Sequence, residues 1–121
     1  MKPLIKSVRG HSPHIDDSTW IAENATIVGQ VSIGANCSIW FNAVIRGDVN
    51  AITIGDKVNI QDGAIIHCTF EKASTYIGDR VSIGHQAIVH GCRIESDALI
   101  GMGAIVMDHA VIPKDCIVAA G

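Results

Sequence analysis

From Ile21 onward the chain reads as rows of six residues, each opening on Ile or Val. The rows begin at Ile21, Ile27, Ile33, Ile39 and Ile45, and resume at Ile54, Ile60 and Ile66 after an interruption at Ala51 to Thr53. A second interruption, Lys72 to Tyr76, precedes Ile77 and Ile83. The row from Val89 is one residue short, and Ile94, Ile100, Val106 and Ile112 follow. In nearly all rows a small apolar residue stands four residues after the opening aliphatic: Ala25, Val31, Cys37, Ala43, Val49, Val58, Ala64, Val81, Ala87, Ala98, Ala104, Ala110 and Cys116. A period of six fits neither a 3.6-residue helix nor alternating hairpin strands. It predicts an all-β fold of short parallel strands that turn every six residues, a parallel β-helix of hexapeptide repeats. The large aliphatic fills the middle of a flat face and the small residue fits a corner, where Gly, Asp or Asn supplies the backbone angles. Three rows make one triangular coil, and coils stack about 4.8 Å apart. The expectation is one domain over 1–121, of about five coils, with repeats from about residue 21 and a short N-terminal segment over 1–20. Flat parallel faces favour association of copies side by side.

Composition agrees. The chain is 48% hydrophobic but only 4% aromatic, with 12 glycines, as suits a narrow aliphatic interior. Nine Lys and Arg against 12 Asp and Glu give a formal charge of −3 and no basic stripe, so no nucleic-acid partner is expected. No apolar run approaches the length of a membrane span. The first residues lack the apolar stretch of a secretory leader. The four cysteines have no CxxC spacing and read as reduced thiols, so a cytoplasmic location is expected.

The frame sorts the polar residues. Row openers point inward, so the next residue points outward. His67 and His90 both hold that second position. If Lys72 to Tyr76 bulges out, the openers Ile66 and Val89 are one full turn apart, and the two histidines stack on one face. Their spacing suits two imidazoles on one metal, with bonds of about 2.0–2.1 Å to zinc. His85, third in the row from Ile83, falls on the preceding face and cannot easily reach that metal within its own chain, although a neighbouring subunit could supply it. If Ala51 to Thr53 also bulges, Arg46 lies one coil below His67. Gln61 and Asp62 share the face of His85. Two such faces packed together bring three histidines, an amide and an Arg46–Asp62 pair into one interface. His11, His14 and His109 read as surface residues. Cys68 is turned away from the site by alternation and reads as a packing residue.

Arg46-Gly47-Asp48, Asn59-Ile60-Gln61-Asp62-Gly63, His67, Ile83-Gly84-His85 and Val89-His90-Gly91, in this order, resemble the gamma-class carbonic anhydrase family over about residues 15 to 121. The resemblance implies a left-handed β-helix, where the general rule for parallel crossovers predicts a right hand. It also implies a homotrimer. It assigns the metal to His67, His85 and His90, sets Gln61 beside the metal-bound water and Asn59 near it, and gives Arg46, Asp48 and Asp62 to ion pairs between subunits. Two departures stand out. Val49 occupies the place of a glutamate in archetypal active members. The loop after His67 is short, with Glu71 as the one candidate proton shuttle. The sequence is closer to the carbonic-anhydrase-like branch, whose members are often weak hydratases and some of which are described as acyl-CoA thioesterases. The chain breaks off mid-repeat at Val118-Ala119-Ala120-Gly121, where the family continues with another coil and an amphipathic helix.

The expected reaction is reversible hydration of CO2 to bicarbonate. Three neutral imidazoles leave a zinc position open for water. The metal lowers the pKa of that water to about 7, a value taken from a zinc carbonic anhydrase, so hydroxide forms at neutral pH. Gln61 orients the hydroxide, and Glu71 or buffer takes the proton. Imidazoles accept Zn2+, Fe2+ or Co2+. The rival readings are a metal-dependent thioesterase, a hexapeptide acyltransferase needing a base but no metal, and a non-catalytic trimeric scaffold.

Overall fold

The computed structural model describes residues 1–121 and contains sixteen β-strands and no helix. In chain order they are β1 (Leu4–Lys6), β2 (His14–Ile15), β3 (Trp20–Ile21), β4 (Thr26–Ile33), β5 (Ser38–Ile39), β6 (Val44–Ile54), β7 (Asn59–Ile60) and β8 (Ile65–His67). There follow β9 (Thr75–Ile77), β10 (Ser82–Ile83), β11 (Ile88–His90), β12 (Arg93–Ile94), β13 (Leu99–Ile100), β14 (Ile105–Val106), β15 (Val111–Ile112) and β16 (Ile117–Val118). Every pairing between them is parallel. The strands form three faces. The first holds β3, β5, β7, β10, β13 and β16. The second holds β1, the first halves of β4 and β6, then β8, β11 and β14; the third holds β2, the second halves of β4 and β6, then β9, β12 and β15. This is the expected all-β, left-handed β-helix of hexapeptide repeats, with six strands on each face and so six coils rather than about five, because the stack includes β1 and β2 ahead of residue 21.

The register records the repeat directly. Undisturbed neighbours are 18 residues apart, as Trp20 and Ser38 are. The separation is 21 across the first interruption (Ser38 to Asn59), 23 across the second (Ile66 to Val89) and 17 across the short row (Ser82 to Leu99). The row openers point inward. Those from Ile27 to Val106 are all buried, while Ile21 and Ile112, near the ends of the stack, are half-buried. The turn residue is the one before the small corner residue. Asn36, Asn42, Lys57, Arg80, Gln86, Asp97, His109 and Asp115 all take positive φ there, between 55° and 66°. Only some of these are Gly, Asn or Asp, so the stack imposes the left-handed conformer on ordinary side chains, a strain of roughly 1–2 kcal/mol each for such residues.

Three details differ from the hexad frame. The first insertion lies at Asp48–Ala51 rather than Ala51–Thr53, because Ile52 takes the inward corner opposite Val31, while Val49 is only half-buried in the loop. The second lies at Cys68–Ser74 rather than Lys72–Tyr76, because Thr75 takes the corresponding position opposite Ile52. The stack also begins before residue 21. Leu4–Lys6 pairs with Thr26–Val28 and His14–Ile15 with Ser32–Ile33, so Ile15, six residues before Ile21, opens one more row, with Thr19 in place of the small apolar residue. Where β4 and β6 turn the corner, Gly29 has φ +80°, and a Cβ on it would lie 2.2 Å from the Gly47 carbonyl oxygen. Backbones this close admit only glycine.

Candidate metal centre

The 23-residue register sets His90 directly on His67 at the edge of the second face. His67 Nδ1 lies 3.2 Å from His90 Nε2. Each outer nitrogen meets a carboxylate. His67 Nε2 is 2.9 Å from Asp48 Oδ1, and His90 Nδ1 is 2.6 Å from Asp108 Oδ1. Arg46, below, donates to Asp48 Oδ2 at 2.6 Å, and the Thr69 hydroxyl donates to Asp108. Burial raises the Asp48 carboxyl, but hydrogen bonds from His67 and Arg46 outweigh it and hold it below the usual range. Hydrogen bonds from Thr69 and then His90 hold Asp108 low. Both carboxylates are therefore ionised near neutrality and can only accept. Each outer imidazole nitrogen donates to its carboxylate, and the two inner nitrogens face each other at hydrogen-bond distance.

That arrangement suits a shared cation, a proton or a metal ion. Two ligands on one tetrahedral zinc at about 2.0–2.1 Å lie about 3.3 Å apart, and the inner nitrogens match that separation. Carboxylates on the distal nitrogens of metal-binding histidines are the usual means of fixing tautomer and ring. The donor set thus fits a divalent metal. No group of three or more His, Cys, Asp or Glu side chains within the chain is arranged to hold one.

His85 is exposed on the adjoining first face, its Nδ1 3.1 Å from Asp62 Oδ1. It shares a shallow hollow with Trp40, Asn59, Gln61 and Asp62. Trp40 Nε1 donates to Ser38 Oγ at 3.2 Å, and Ser38 Oγ donates to Asn59 Oδ1 at 3.0 Å. With its oxygen taken, Asn59 has its NH2 group left for a ligand. Arg46, His67 and His90 therefore share one face and Gln61, Asp62 and His85 another, as spacing predicts. Glu71 is exposed in the loop with φ +56°, and no hydrogen bond or ion pair joins it to either histidine. Cys68 is buried and donates to the Asn50 carbonyl at 3.3 Å, in keeping with a packing role. His11, His14 and His109 are exposed. Within the chain Arg46 pairs with Asp48, not Asp62.

Asp108 and Thr69 escape the sequence reading, as does the contact of Asp48 with His67. The one available signal for Asp108 is its place in the row from Val106, on the face of His90 and one coil above it.

The family model "Bacterial transferase hexapeptide (six repeats)" matches residues 12–47, and "Hexapeptide repeat of succinyl-transferase" matches 30–68 and 75–107. The chain belongs to the hexapeptide-repeat family. It is similar to gamma carbonic anhydrase 2, mitochondrial, of Arabidopsis thaliana, 43% identical over 97% of this chain and 44% of that protein. It is also similar to a carbonic anhydrase of Geobacillus kaustophilus, 45% identical over 90% of this chain and 59% of that one. The chain thus spans about half the length of the curated relatives it matches. Among solved structures, a hexapeptide transferase family protein from Anaplasma phagocytophilum superposes with a TM-score of 0.83 at 39% identity, covering 98% of this chain and 76% of that one. No helix of the chain is long and apolar enough to cross a membrane.

Proposed function

We propose that the chain is a subunit of a homotrimeric, metal-dependent enzyme that hydrates CO2 reversibly. Its centre is built from His67 and His90 of one subunit and His85 of the next. The observation that carries this reading is the pair of inner imidazole nitrogens, 3.2 Å apart, with both outer nitrogens tied to carboxylates. A divalent ion bound there, Zn2+, Fe2+ or Co2+, lowers the pKa of water toward neutrality.

The chain's own residues do the rest. Asp48 and Asp108 accept from the outer nitrogens and hold both imidazole rings with their inner nitrogens toward the metal. The Asn59 NH2 group and the Gln61 amide, carried on the face of His85, orient water and the oxygens of CO2 and bicarbonate. Water adds to carbon, bicarbonate leaves, and the proton passes to buffer or to Glu71 once the loop brings it near. Arg46 is positioned to exchange its partner Asp48 for Asp62 of a neighbouring subunit on assembly. The cytoplasm is the proposed compartment.

The similarity to a hexapeptide transferase family protein supports a second reading, acyl transfer. That chemistry needs a base but no metal. Metal analysis and stopped-flow CO2 hydration, before and after chelation, test the proposal. One metal per subunit and hydration that is lost on chelation and restored by Zn2+ or Co2+ are expected. Bound metal without hydration refutes CO2 as substrate, and absence of bound metal after loading refutes the centre itself.

A further inference from the structure

His90 is held from the coil above by a carboxylate to which the hexad frame assigns no role. Asp108 lies two residues past the opener Val106 and directs Oδ1 to His90 Nδ1 at 2.6 Å. Its other oxygen accepts the Thr69 hydroxyl, from the loop that leaves His67. A single carboxylate therefore ties together the outer histidine, the coil above it and the loop below. Its side chain is only 26% exposed.

The backbone leaves room for this contact. Gly91 follows His90 with φ +59°, and a Cβ on it would lie 2.7 Å from Asp108 Oδ1 and 2.8 Å from the Ala73 Cβ. A side chain at Gly91 would push Asp108 off the imidazole. The Gly91 amide in turn donates to Thr75 Oγ1 at 2.8 Å, and Thr75 donates to the His67 carbonyl at 2.6 Å. The two histidine strands are thus clamped just beneath the contact, and the distance from Asp108 to His90 is fixed by packing rather than by a free surface rotamer.

We infer that Asp108 is a positioning residue for the metal centre: it fixes His90 as the Nδ1–H tautomer and presents Nε2 as the ligating atom. This rests on the metal reading above. Partners of this kind are worth 10–100-fold in metal affinity.

The test uses the assembled protein loaded with Co2+, with affinity read by competition against a chelator and ligand geometry read from the visible d–d band. Asp108→Ala should bind Co2+ about 10–100-fold more weakly and with an altered band. Asp108→Asn, whose amide oxygen still accepts from Nδ1–H, should recover most of both. Asp97→Ala removes another paired carboxylate, the partner of Arg80 at 2.6 Å, and should leave both unchanged. In the zinc-loaded wild type, long-range proton–nitrogen NMR correlation should show His90 protonated at Nδ1. Unchanged affinity and band in Asp108→Ala, or a His90 proton on Nε2, overturns the inference alone. A wild type that takes up neither cobalt nor zinc overturns the metal reading and the inference with it.

Discussion

Cys92 is the thiol whose ionisation burial opposes most. It fills a corner beside His90, and burial pushes it up to about 11. At pH 8 such a thiol is thiolate in about one molecule in a thousand. Burial also raises Cys37 and Cys68. Cys116 sits in the same kind of corner near the end of the stack and is only half-buried. In the native protein at pH 8, iodoacetamide should label Cys116 first and the other three only on unfolding, read by peptide mass spectrometry. Labelling of Cys92 at the rate of Cys116 contradicts the packing described. Residue by residue, the site is legible in the sequence to the extent that it obeys the period. His67 over His90 follows from counting rows, because an insertion of any shape displaces the next strand by a whole number of residues. Asp48 and Asp108 do not follow from counting. Asp48 reaches His67 from the bulge within β6, and Asp108 reaches His90 because Gly91 is bare, and neither fact has a periodic signature.

At the scale of the strand and coil, the opener carries the stability. Ile66 is fully buried on the fourth of the six strands of the second face, between Ile45 below and Val89 above. Ile112 is half-buried near the end of the stack. Burying an isoleucine and then truncating it costs about 2–5 kcal/mol where the cavity cannot collapse. Ile66→Ala should therefore lower stability by about 2–5 kcal/mol, and Ile112→Ala by well under half of that, measured as urea midpoints at constant slope. Equal losses would mean that the coils unfold without regard to burial. Solenoid stability is a sum of repeats and their interfaces, which is also why the fold is legible from sequence: each row repeats the same signal. The misplaced interruptions show where that legibility stops. Val49 and Ile52 are both aliphatic, and only register against Val31 shows that Ile52 takes the corner. Thr75 is polar, yet it is 1% exposed at the equivalent corner, and its hydroxyl satisfies two strands at once.

At the scale of the whole molecule, the two halves of the site stand on adjoining faces of one chain. His67 and His90 project from the second face and His85 from the first, beside Asn59 and Gln61. A prism cannot fold its own faces together, so the halves can meet only when the first face of one copy packs against the second face of another. In the proposed trimer that contact closes around a ring of three with three identical sites, each chain supplying two histidines to one site and one to the next. The consequence is complementation. His67→Ala lacks one ligand of its own pair, and His85→Ala lacks the ligand it gives away. Neither variant alone can assemble three histidines at any interface. Unfolded together and refolded as a mixture, they form mixed trimers in which one interface joins His67 and His90 of the His85→Ala chain to His85 of the His67→Ala chain. Each mixed trimer then regains one complete site of its three. Metal bound after gel filtration should rise from near zero in either variant alone to about a quarter of the wild-type value in an equal mixture, with three of every four trimers mixed. Any hydratase activity should return in proportion. A mixture that binds no more metal than the separate variants excludes sharing between subunits, and a size in solution that is monomeric with metal bound excludes it independently.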